Sequence, residues 1–228
     1  MKNRLGATGV SSREVEISEA GVGLPGTLTI PEHAWGIVVF AHGSGSSRLS
    51  PRNVSVAETL NVRGFGTLLF DLLTPDEAAD RENVFAVELL AERLAAATRW
   101  LRKRAEGNLP IGYFGASTGA AAALWAAAEL PDKVVAVVSR GGRPDMAGSR
   151  LAKLAAPTLL IVGGEDAIVL DLNREAFAQI RCEKDLVIVP GATHLFEEPG
   201  ALEEVSQHAV GWFERFMSDE GVTPHGNV

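Results

Sequence analysis

The sequence predicts an α/β protein: a mostly parallel sheet of about eight strands with helices on both faces. Three observations carry that expectation. Short apolar runs recur along the chain, stripes at the helical period separate them, and an alternating segment precedes them all. Composition agrees, since 46% of the 228 residues are apolar, enough for a packed core and too many for a disordered chain.

The alternating segment comes first. Residues 15–17 and 27–30 switch between apolar and polar, which predicts an antiparallel hairpin with one face in water at the sheet edge. That exposed edge leaves pairing into a homodimer open. Residues 36–41, 66–71, 110–114, 134–138, 158–162 and 185–189 are β-branched or aromatic and apolar throughout. Strands of a parallel sheet, buried on both faces, read this way. Between them, Val56 and Leu60 mark a short helix ended by Gly64. Val84, Val87, Leu94 and Leu101 repeat near the helical period, with Gly107 as a stop. Residues 120–128 form an Ala-rich helix ended before Pro131, apolar nearly all round and therefore buried. Cys182 reads as part of a helix ahead of the last strand. Leu202, Val205, Ala209, Phe213 and Phe216 stripe a final helix. Residues 1–12 and 219–228 are polar and expected to fray, leaving one domain over 1–228 with its core roughly at 12–217.

Charge and cysteine content exclude several functions. The chain has 21 basic and 29 acidic residues, a net charge of −8, which would repel nucleic acid and anionic membrane. One cysteine cannot form an intrachain disulfide, and no His/Asp/Glu cluster has metal-ligand spacing, so neither metal nor organic cofactor is expected. No apolar run nears the roughly 20 residues that span a bilayer, and the start lacks a signal-like apolar stretch. A soluble, cytoplasmic protein is expected.

In such a sheet, sites form at the carboxyl ends of the strands. After Tyr113-Phe114 comes Gly115-Ala-Ser117-Thr-Gly119, followed at once by the Ala-rich helix. A serine at the tip of so sharp a turn leaves no room for side chains two residues to either side, so only glycine fits. The helix behind it supplies N–H groups and positive dipole for a developing oxyanion. A serine hydroxyl needs a base. His33 precedes a strand, His208 is mid-helix and His225 is in the tail, whereas His194 follows the last strand in Pro190-Gly-Ala-Thr-His194. The base needs an acid to hold its tautomer. Asp166, in Gly163-Gly-Glu165-Asp166, is preferred, with Glu165 and Asp145 as alternatives.

The order Ser117, Asp166, His194 resembles the α/β-hydrolase superfamily, in the dienelactone hydrolase-like branch of small serine esterases. Supporting segments are Ala41-His-Gly-Ser-Gly-Ser-Ser-Arg48, Gly115 to Gly119, Ser139-Arg-Gly-Gly-Arg-Pro-Asp145, Gly163 to Asp166 and Gly191 to His194. The branch's namesake uses a cysteine where this chain has Ser117, which favours ordinary ester hydrolysis. The resemblance implies an α/β-hydrolase fold and backbone oxyanion donors at Thr118 and Ser44, with His42 supporting their loop. Only one short helix, at 146–154, fits between the fourth and fifth parallel runs, so no cap domain is expected and the site should be open to small soluble esters. Arg48, Arg140 and Arg143 fall at the rim, where they bind a substrate carboxylate or pair with Asp71, Asp145 or Asp166; Asp71 itself anchors a loop. A lactonase or an acyltransferase on the same triad, and a non-catalytic binding protein on the same frame, are the competing readings.

Overall fold

The computed structural model describes residues 9–18 and 21–217. Among the described residues eight strands form one sheet: β1 (Val10–Ile17), β2 (Leu24–Pro31), β3 (Ile37–Ala41), β4 (Gly66–Phe70), β5 (Ile111–Ala116), β6 (Ala136–Arg140), β7 (Thr158–Gly163) and β8 (Lys184–Val189). Their order is β1-β2-β4-β3-β5-β6-β7-β8. β1 pairs antiparallel with β2 and β2 with β4, and every later pairing is parallel. This is the α/β-hydrolase architecture, with the antiparallel hairpin at one edge. The helices are α1 (Pro51–Val62), α2 (Pro75–Ala78), α3 (Arg81–Phe85), α4 (Val87–Arg102), α5 (Thr118–Glu129), α6 (Ala167–Gln179) and α7 (Ala201–Met217).

Two apolar layers sandwich the sheet. On one face Leu94, Leu101 and Leu124 of α4 and α5 pack on Val39, Tyr113 and Val137. On the other, Leu60 of α1 and Val205, Ala209 and Phe213 of α7 pack on Val38, Phe114 and Val138. The alternation of strand residues between these layers is the period of two that a doubly covered strand requires. The chain steps from β3 outward to β4, then back across β3 to β5. The C-terminal ends of β3 and β5 therefore flank the point where the winding reverses, where such sheets open a crevice.

The fold departs from the sequence reading in particulars. The strand expected at 134–138 lies two residues later, because Ser139 and Arg140 pair with Gly115 and Ala116 and are buried despite their polarity. The helix expected across Val84 to Leu101 is broken at Ala86, whose φ of −74° and ψ of 79° separate α3 from α4. Residues 10–12 are not frayed but belong to β1. Cys182 is not helical: α6 ends at Gln179, and the half-buried thiol sits in the following bend, donating to the Ala156 carbonyl at 3.1 Å. The last strand, read as buried on both faces, is the far edge, and Ile188 is exposed. Between β6 and β7 the chain forms a 3-10 segment, Pro144–Lys153, interrupted at Gly148, and no cap domain is inserted there. The expectations for residues 1–8 and 219–228 lie outside the described residues.

Candidate active site

Ser117 occupies the turn between β5 and α5 with φ 51° and ψ −121°, a backbone region that a non-glycine residue adopts at a cost of order 1–3 kcal/mol. Backbone bonds hold it there: its N–H donates to the Arg140 carbonyl at 3.2 Å, and its carbonyl accepts from Arg143 N–H at 3.1 Å. The flanking glycines are required by contact. A Cβ on Gly115 would lie 2.4 Å from Ala120 Cα, and one on Gly119 would lie 2.2 Å from the Ala41 carbonyl oxygen. The serine is thereby pressed against the loop after β3, where a Cβ on Gly43 would come within 3.0 Å of Ser117 Cβ.

His194 and Asp166 meet because the turns after β7 and β8 are sewn together. Gly164 N–H donates to Val189 O at 2.9 Å, and Glu165 N–H donates to Ala192 O at 3.0 Å. His194 Nδ1 then lies 2.7 Å from Asp166 Oδ2. With the proton on Nδ1, the imidazole keeps its Nε2 lone pair for proton abstraction. Asp166 stands at the N-cap of α6, yet its carboxylate makes no cap bond and serves the histidine. Asp145 is taken by Arg143 in a two-point contact at 2.9 and 2.7 Å, and Glu165 is exposed. That contact raises the Arg143 pKa. Ser117 and His194 line one cavity of about 250 Å³ with Gly43, Ser44, Arg52 and Arg140.

Thr118 is the first residue of α5, so its N–H belongs to the helix turn that lacks internal acceptors. Ser44 N–H, in contrast, already donates to Thr118 Oγ1 at 2.9 Å. His42 steadies the loop that carries Ser44. Its Nε2 accepts from Leu72 N–H at 3.0 Å, which places its proton on Nδ1, 3.1 Å from the Gly43 carbonyl. Burial lowers the His42 pKa, against the raising effects of that carbonyl and of Asp71. His33 lies in a turn, His208 is half exposed on α7 near Glu204, and His225 falls outside the described residues.

The rim arginines separate into two kinds. Arg48 is tied into the framework: its backbone N–H donates to Asp71 Oδ1 at 2.7 Å, and its guanidinium lies 3.3 Å from Glu14 and 3.5 Å from Asp71. That engagement with Asp71 is the framework pairing read for it as the alternative to a substrate role. Arg140 is no loop residue but the end of β6, and it faces the cavity with Ser117. Arg52 and Asn53, which join it there, were missed by the sequence reading. They open an ordinary helix after Pro51 and carry no local signature.

The sequence profile of the dienelactone hydrolase family matches residues 24–218. The chain belongs to this family. A dienelactone hydrolase from Anabaena variabilis is 54% identical, with a TM-score of 0.89 over 91% of this chain and 99% of that one. An esterase of Pyrococcus furiosus, 18% identical, shares the fold with a TM-score of 0.69 over 91% of this chain and 94% of its own. Two curated relatives from Mycobacterium tuberculosis, provisionally named phosphoribosyl transferases, are 60% identical over 201 residues, covering 88% of this chain and 45% of theirs. The chain thus spans under half the length of those relatives. Among the described residues no helix is long and apolar enough to cross a membrane, and no group of three or more His, Cys, Asp or Glu side chains is placed to hold a metal.

Proposed function

We propose that this family member is a serine hydrolase that cleaves carboxylic esters of small soluble substrates. The observation that carries this reading is the 2.7 Å contact of His194 with Asp166, in a cavity shared with a serine at a strained strand-to-helix turn. Ser117 Oγ attacks the ester carbonyl while His194 Nε2 takes its proton. The Thr118 N–H receives the oxyanion, joined by the Ser44 N–H when that donor exchanges Thr118 Oγ1 for the new charge. The imidazolium, steadied by Asp166, returns the proton to the leaving alcohol. Water then repeats the sequence to free the acyl group.

A lactone is an internal ester and opens by the same steps; an alcohol in place of water would give acyl transfer, which product analysis with added alcohol detects. The phosphoribosyl transferase name of the Mycobacterium relatives belongs to chains more than twice as long as the shared segment, and the His194–Asp166 contact beside Ser117 supports acyl transfer to water. A cytoplasmic location is part of the proposal, and cell fractionation tests it. The decisive experiment is incubation with a fluorophosphonate, location of the adduct by peptide mass spectrometry, and parallel turnover of p-nitrophenyl acetate and butyrate. Labelling at Ser117 that abolishes turnover is expected. Absence of both labelling and turnover would sink the reading and leave a non-catalytic hydrolase-fold protein.

A further inference from the structure

We infer that Asn173, which lies outside the cavity shared by Ser117 and His194, is a positioning residue for the reaction. Its side-chain amide ties the loop after β6 to α6, and so sets Ser117, His194 and Asp166 in place relative to one another. The inference rests on the serine-hydrolase reading for the rate it predicts; the tie itself has a spectroscopic readout that needs no substrate.

Asn173 sits within α6 and is 0% exposed, a polar side chain in a place that apolar residues usually fill. Both protons of its amide nitrogen are used. One goes to the Val169 carbonyl at 2.7 Å, a turn back along α6, and the other to the Gly142 carbonyl at 3.0 Å. The helix does not need the first of these, because the Val169 carbonyl is already the i−4 acceptor of the Asn173 backbone N–H. The Asn173 Oδ1 is buried without a partner among the described residues, so the amide is kept at a cost that a leucine of similar size would avoid. What the amide adds, and an apolar side chain could not, is the hold on Gly142.

Gly142 belongs to a stretch that brackets the strained serine. On one side of it the Arg140 carbonyl accepts Ser117 N–H at 3.2 Å, and on the other Arg143 N–H donates to the Ser117 carbonyl at 3.1 Å. Gly141, with φ 51°, lies against the histidine: a Cβ there would be 3.1 Å from His194 O and 3.6 Å from His194 Cε1. Gly142 is pressed on α5, where a Cβ would come within 2.7 Å of Ala120 Cβ. Two successive glycines have wide backbone freedom, so the direction of the Gly142 carbonyl needs an external anchor. Asn173 supplies it. At the other end of the tie, Asp166 caps α6, and its carbonyl accepts Leu170 N–H at 2.8 Å. About two helical turns separate Asp166 from Asn173, which puts both on one side of one rigid element. A single amide thus joins the helix that carries the acid to the loop that holds the nucleophile and abuts the base.

The test is Asn173→Leu, with Asn173→Ala in its place should leucine fail to fold. Thr98→Val serves as a control, because its broken contacts, to Tyr113 and Leu94, involve no residue of the site. Four quantities are measured on each protein: turnover of p-nitrophenyl acetate, the rate of fluorophosphonate labelling at Ser117, thermal unfolding, and the low-field proton resonance of His194 Nδ1–H. Release of Gly142 is expected to lower kcat by about tenfold to a hundredfold while KM stays within about threefold, since displaced reacting groups cost rate without removing contacts to substrate. Labelling should slow by a similar factor. The Nδ1–H resonance should broaden through faster exchange with water as the bond to Asp166 loosens. Thr98→Val should keep the kcat and the resonance of the parent even where its Tm is lower. If the parent neither labels nor turns over the ester, the hydrolase reading falls and the resonance decides alone: broadening in the Asn173 variant keeps the positioning role, and an unchanged resonance removes it. Parent-like kcat and resonance in the Asn173 variant, whatever the fall in Tm, would overturn the inference, as would an equal loss of kcat in Thr98→Val.

Discussion

Replacing Asp166 by Asn removes one charge while keeping the shape of the side chain. The carboxylate accepts His194 Nδ1–H at 2.7 Å, and its side chain is 15% exposed against 39% for the histidine. In the proposed reaction Ser117 gives up its proton and the imidazole becomes a cation beside that carboxylate. Unit charges about 4 Å apart near a protein surface attract by about 4 kcal/mol, which is roughly 10³-fold in rate. Two effects modify this figure in opposite directions. Water reaching the partly exposed imidazole replaces some of the lost support. The amide of Asn, presenting N–H where an acceptor stood, favours the wrong tautomer, and the same exchange costs about 10⁴-fold in a serine protease. The expected loss in turnover is therefore about 10²- to 10⁴-fold. The assay is p-nitrophenyl acetate hydrolysis together with the rate of fluorophosphonate labelling at Ser117, on variant protein whose thermal unfolding matches the parent. Both rates should fall together, since both need the activated serine. Retention of both within about fivefold would refute the role given to Asp166.

Three further outcomes follow from contacts in the framework. Because burial depresses the His42 pKa, the unfolded chain binds more protons than the folded one between the lowered value and about 6.5, so this contribution is complete above about pH 6.5 and lost as pH falls. Urea midpoints measured down to acidic pH should fall more steeply for the parent than for His42→Asn; equal slopes would remove His42 from the account. Gly119→Ala puts a methyl group 2.2 Å from the Ala41 carbonyl oxygen, and should cost upward of about 3 kcal/mol, seen as a large drop in Tm or as insoluble protein. Thr98 and Tyr113 share a buried hydroxyl contact of 2.5 Å, and Thr98 also donates to the Leu94 carbonyl. Thr98→Val strands the tyrosine hydroxyl and should cost about 1–3 kcal/mol, whereas Tyr113→Phe leaves Thr98 satisfied and should cost less by chemical denaturation.

The buried strands and the hairpin edge were legible because their patterns are local: unbroken apolar runs for one, alternation for the other. Where the pattern failed, a long-range contact decided. Ser139 and Arg140 look like loop residues, and only their register against Gly115 and Ala116 makes them strand. Nothing at Ala86 announces the break that splits one helical stripe in two. The Ser117 turn could be read from its glycines, which answer a steric demand within a few residues. The meeting of Asp166 with His194 could be read only as two loops on one rim, because the hydrogen bonds joining those loops depend on the β7–β8 pairing. The Ser44–Thr118 contact spans 74 residues, and the Arg140–Asn53 contact beside Arg52 spans 87; neither leaves a local trace.

The bond from Ser44 N–H to Thr118 Oγ1 acts as a threshold in the proposed reaction. Between turnovers the donor is satisfied, so the empty cavity carries no orphaned N–H there. Trading a neutral hydroxyl for the neutral carbonyl oxygen of a bound ester gains almost nothing. Trading it for the charged oxygen of the tetrahedral species gains the surplus of a charge-assisted bond, which is roughly twice as strong. The internal competitor thus cancels the reward for merely holding substrate and leaves the reward for reacting it. In the proposed reaction a side-chain hydroxyl one residue after Ser117 would thus convert an ordinary backbone donor into one that discriminates by charge.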